Sequence, residues 1–133
     1  MSKYYLGIDT SCYTTSLSII DDSLNIVFDK RILLDVPNGK NGLRQSEMVF
    51  QHMNNIPKLF KQIKVSEINL DNIISLAVSD KPRNIDGSYM PAFLAGVNFG
   101  QVIAHSLSVD THFLSHQENH IYAASLGTAY DYK

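Results

Sequence analysis

Residues 3 to 34 hold three strand-length segments separated by gaps too short for a helix, and this constrains the fold more than any other feature. Lys3 to Ile8 is a short apolar run that ends at Asp9, the pattern of a buried strand. Thr10, Ser11 and Cys12 are small turn residues. Thr15 to Ile20 then alternates small polar with apolar side chains, the two-residue period of a strand. Asp21, Asp22 and Ser23 make a turn, and Leu24 to Leu34 gives a third strand. Three successive strands joined by short turns form an antiparallel meander.

The period changes after that. Residues 35 to 45, DVPNGKNGLRQ, carry a proline, two glycines and two asparagines and read as a loop. Ser46 is a candidate N-cap with Glu47 in the first turn. Met48, Val49, His52, Met53, Ile56, Leu59, Phe60 and Ile63 recur at helical spacing, a stripe best read as core. Pro57 inside that stripe predicts a kink or break near Asn55. Ile73 to Val78, ending at Ser79 and Asp80, suits a central parallel strand. Pro91 suits the first turn of a helix running to about Ser106. Gly96 and Gly100, four apart on it, predict a close neighbour. His112 to Leu114 reads as a fifth strand, and His116 to about Leu126 as a third helix. The order β-β-β-α-β-α-β-α is the α/β layout of a ribonuclease-H-like lobe, which hosts several functions.

Composition narrows the classes. The chain has 133 residues, one domain's worth, and 44% hydrophobic residues suffice for a core. A net charge of -2 argues against a dedicated nucleic-acid binder, though not against a local basic patch. Cys12 is the single cysteine, so no intramolecular disulfide forms. No long apolar stretch precedes the first polar turn, so neither a signal peptide nor a membrane span is expected, and the expected location is cytoplasmic.

Several groups carry chemistry. His116 and His120 sit at i and i+4, with Cβ atoms about 6 Å apart on one helical face. Neutral imidazoles at that spacing can grip one metal ion, and spacing alone equally allows two partly exposed histidines. Gln117 stands where the zinc-peptidase motif HExxH needs its glutamate, so a peptidase is poorly supported. In Gly7 to Thr15, a strand ending in Asp9 runs into small hydroxyl residues that can face a phosphate, or form an ordinary turn. Asp9, Glu47 and Asp80 lie at strand ends and a helix start. Convergence of the three on one sheet edge would make a two-metal nuclease. Arg44, Lys81 and Arg83 are loop cations that can meet phosphates or simply be solvated. Nothing adjacent in sequence activates Cys12 as a nucleophile.

Together these segments resemble the tRNA threonylcarbamoyladenosine transferase family, once called O-sialoglycoprotein endopeptidases or glycoproteases. Residues 6 to 19, LGIDTSCYTTSLSI, are similar to the family's opening strand, turn and strand. Residues 42 to 60, GLRQSEMVFQHMNNIPKLF, resemble its first helix, His52 included. Residues 92 to 104, AFLAGVNFGQVIA, resemble its second helix, and residues 112 to 123, HFLSHQENHIYA, its metal-binding helix.

The resemblance implies the actin-like, sugar-kinase-like ATPase fold, built of two ribonuclease-H-like lobes. Residues 1 to 133 would be the N-terminal lobe, with the second lobe expected beyond Lys133 and the lobe inactive alone. By the same resemblance His116 and His120 hold a divalent metal, iron or zinc. Asp9 is then catalytic, and Thr10 and Ser11 are cofactor-binding on the phosphate side. ATP, ADP or threonylcarbamoyl-adenylate would bind only with the second lobe, and tRNA would be the acceptor. Tyr13 and Thr14 replace the family's acidic pair, and SDKPRNIDGSYMP replaces a Gly-Pro-Gly segment, marking a divergent branch. The departures keep open a non-catalytic actin-fold scaffold that dimerises with a partner or with itself. The nuclease built on Asp9, Glu47 and Asp80 is the further alternative.

Overall fold

The computed structural model describes residues 3–11, 13–39, 41–82 and 90–116. The strands are β1 (Tyr4–Asp9), β2 (Thr14–Asp21), β3 (Ile26–Leu33), β4 (Ile73–Lys81) and β5 (Asp110–Ser115). The helices are α1 (Gln45–Val65) and α2 (Phe93–Leu107). A short 3-10 turn, Leu70–Asn72, leads into β4. One five-stranded sheet has the order β3-β2-β1-β4-β5. The β1–β2 and β2–β3 pairs are antiparallel, and β1–β4 and β4–β5 are parallel. The meander and the crossover strands therefore share β1 at the centre, and β4, expected as a central parallel strand, lies between β1 and β5. The third helix expected from His116 to Leu126 lies outside the described residues beyond its first position.

The two-residue period sets the faces. Thr15, Leu17 and Ile19 of β2 turn inward and are fully buried. Leu6, Ile8, Leu76 and Val78 join them from β1 and β4, and Leu59 and Ile63 of α1 close over them. The β2–β3 hairpin is held by Asp21, whose Oδ1 accepts from the backbone N–H groups of Ser23 and Asn25, both at 2.9 Å. Leu24 in that turn has a φ of 66°, a conformation that L side chains pay for.

Two expectations are corrected. Helix α1 begins at Gln45, with Arg44 rather than Ser46 at the N-cap. Gln45 reaches out instead, and its Oε1 accepts the Ala92 N–H at 3.0 Å, tying the start of α1 to the start of α2. Nor does Pro57 break α1, which runs unbroken through it. Pro57 and Met53, four residues earlier, are both exposed, so the carbonyl that loses its donor faces the solvent side, where water serves.

The glycine pair behaves as predicted. A Cβ on Gly100 would lie 2.6 Å from Val78 Cγ2, and one on Gly96 would lie 3.0 Å from Thr10 Oγ1. The backbone of α2 thus rests directly on the side chains of Ile8, Thr10 and Val78. Among the described residues no helix is long and apolar enough to cross a membrane.

Candidate functional site

Because β1, β4 and β5 run parallel, their C-terminal ends share one sheet edge. In open α/β sheets ligands bind outside that edge. It brings together Asp9 from β1, Ser79 from β4, and His116, which directly follows β5.

Asp9 is the hub. Its Oδ1 accepts the Ser11 backbone N–H at 2.7 Å. Its Oδ2 accepts the Ser79 hydroxyl at 2.9 Å and lies 2.7 Å from His116 Nδ1. Ser11 Oγ is 2.9 Å from the same nitrogen. Burial by itself raises the Asp9 pKa. The side-chain bonds with Ser11 and His116, the Ser11 backbone N–H and the charge of His116 outweigh it, and the carboxyl is held below its ordinary value. An ionised carboxylate only accepts, so Nδ1 of His116 carries the proton in this pair. Ser11, His116 and Asp9 are not arranged as a hydrolase triad, because Ser11 and Asp9 meet one ring nitrogen instead of two.

The neighbouring turn residues have structural duties. Thr10 is fully buried. Its hydroxyl donates to the Ala92 carbonyl at 3.0 Å and accepts the Gly96 N–H at 3.2 Å, stitching the β1–β2 turn to α2. Tyr13 props the loop before α1: its hydroxyl accepts the Leu43 N–H at 3.4 Å, and its carbonyl accepts the Leu34 N–H at 2.8 Å. A second polar cluster lies in the core. Thr15 Oγ1 is 2.7 Å from Nδ1 of the fully buried His52, and Asn55 Nδ2 donates to it at 3.2 Å.

The three acids do not converge. Glu47 lines a groove with Asp35, Pro37, Leu43 and Phe50, and Asp9 is not part of that lining. Asp80 Oδ1 is buried and finds no hydrogen-bond partner among the described residues. No group of three His, Cys, Asp or Glu side chains able to hold a metal occurs among the described residues. The carboxylate trio of a two-metal nuclease is thereby overturned.

His120, Cys12 and Arg83 lie outside the described residues. The donor chemistry of His116 nevertheless fits a metal ligand. Its side chain is 34% exposed, and metal-bound histidines commonly donate their second ring N–H to a carboxylate, as Nδ1 does here. Any metal bond of His116 in this arrangement uses Nε2. Neither Ser79 nor the pairing of Asp9 with His116 was singled out from sequence. The signal that could have found them is the parallel order of β1, β4 and β5.

No protein-family model matches the chain. It is 28% identical over 120 residues to the tRNA N6-adenosine threonylcarbamoyltransferase of Dehalococcoides mccartyi, covering 89% of this chain and 35% of that one. It is 30% identical over 125 residues to the protein of the same name from Brachyspira hyodysenteriae, covering 91% and 35%. The chain thus spans about a third of the length of these relatives. Its fold is shared with YeaZ from Pseudomonas aeruginosa at a TM-score of 0.62 and 11% identity, over 85% of this chain and 43% of that one.

Proposed function

We propose, on the premise that this chain is a homologue of the tRNA N6-adenosine threonylcarbamoyltransferases over 89 to 91% of its length, that it is the N-terminal lobe of a metal- and nucleotide-binding protein of their kind. The observation that carries this reading is the similarity across nearly the whole chain to a third of longer enzymes. The rest of the cleft comes from a second lobe, its first partner, and the lobe alone turns nothing over. His116 and His120 hold a divalent metal, iron or zinc. When bound, the metal supplies Lewis-acid polarisation of a carbamoyl donor's carbonyl. His116 is presented at the sheet edge by β5, and Ser11 lies on the phosphate side of a bound nucleotide, while the fully buried Thr10 anchors the turn to α2 and takes no part in cofactor binding. The acceptor would be adenosine in tRNA.

The test is metal analysis and intact mass of the protein purified from its native cells. About one equivalent of zinc or iron is expected, lost in His116→Ala and His120→Ala, in a protein much heavier than 14.9 kDa. Absence of stoichiometric metal would end the reading. A non-catalytic actin-fold scaffold is the second reading, favoured by Tyr13, which spends its hydroxyl and carbonyl on loop packing where the family has an acid. A scaffold binds no metal and is unchanged by His116→Ala.

A further inference from the structure

We infer that Asp9 is a positioning residue which fixes the ring and tautomer of His116, presenting Nε2 to the metal, and is not itself the group that reacts. The inference rests on the metal reading above and deepens it.

Three features lead to it. First, both carboxylate oxygens are engaged, Oδ1 by the Ser11 N–H and Oδ2 by Ser79 and His116. A carboxylate so fully hydrogen-bonded is a weak base and has little to offer a substrate proton. Second, its anchors come from separate parts of the fold. Ser11 follows β1, while Ser79 is a fully buried residue of β4. The carboxylate is thus immobile, as an orienting group has to be. Third, the 2.7 Å contact is to Nδ1 specifically, which sets the proton on that nitrogen. Free imidazole prefers the opposite tautomer, with the proton on Nε2, where it blocks metal binding. Asp9 reverses that preference before any metal arrives.

The experiment uses the whole purified protein, wild type, Asp9→Ala and Asp9→Asn. The Asn variant keeps the volume and most of the packing, and so guards against a variant that fails to fold. Histidine 15N NMR of the metal-free protein reads which nitrogen of His116 is protonated, and a merely structural role would not move that signal. The wild type should show Nδ1–H, and Asp9→Ala should shift to mainly Nε2–H. Zinc alone, titrated against a chromophoric chelator, should bind about 10- to 100-fold more weakly to Asp9→Ala, and with an affinity between those of wild type and Ala to Asp9→Asn. Unchanged zinc affinity and an unchanged tautomer in folded variants would overturn the inference and leave the metal reading standing. A wild type that takes up no zinc would overturn both.

Discussion

Replacing Gly100 by alanine tests the packing that seats α2 on the sheet. The new Cβ would sit 2.6 Å from Val78 Cγ2, where ordinary van der Waals contact begins near 3.4 Å. Val78 is fully buried and β-branched, so it cannot turn aside. The helix must therefore shift by nearly an ångström. Overpacking of this kind costs roughly 1–3 kcal/mol. Alanine in a helix interior returns about 1 kcal/mol relative to glycine. The net expectation is a loss of about 1 kcal/mol, read by urea denaturation followed by circular dichroism. The sharper readout is a double-mutant cycle. Against Val78→Ala the clash is gone and only the helix preference is left, so Gly100→Ala should then stabilise by about 1 kcal/mol. The coupling energy would be about 2 kcal/mol. A coupling indistinguishable from zero, or a stabilised single variant, would refute the close-packing argument.

Other perturbations have defined outcomes. Thr15→Val removes the oxygen shared by His52 and Asn55 in the core and should cost about 1–3 kcal/mol in the same denaturation assay. The Asp9 carboxyl is held below the ordinary value of 3.8, so its contribution to stability is complete above that value. Stability should fall as pH drops from there through the folded-state pKa, and a denaturation series across acid pH should show a shallower fall in Asp9→Asn. Leu24 is exposed and sits at positive φ, so Leu24→Asn should raise stability by up to about 1 kcal/mol, and a lower melting temperature would contradict this.

Much of the sheet was legible because local pattern and tertiary role agree. The alternation in β2 reports its two faces, and the spacing of Gly96 and Gly100 reports the surface on which α2 lies. Pro57 does not break α1, because a proline on the solvent face of a long amphipathic helix loses a bond that water replaces. The start of α1 shifted because the Gln45 side chain bonds Ala92, a contact that capping preferences do not encode. The site was only half visible. The sequence nominated Asp9, Ser11 and His116 singly, but their meeting depends on the parallel placement of β1, β4 and β5. Thr10, expected by resemblance to bind a cofactor on the phosphate side, is instead a buried stitch, because Gly96 lets α2 come within reach of it.

The sheet order has a consequence for how the molecule assembles. The β1–β2–β3 ladder joins neighbours in the chain and can form early. Asp9 meets Ser79 across 70 positions and His116 across 107. Those encounters need large loops to close, and each is rewarded only after β4 and β5 have docked. A nascent chain emerging from the ribosome therefore has its hairpins well before Asp9 has Ser79 and His116 beside it. The site is the last thing built, and its presence certifies that everything before it has folded.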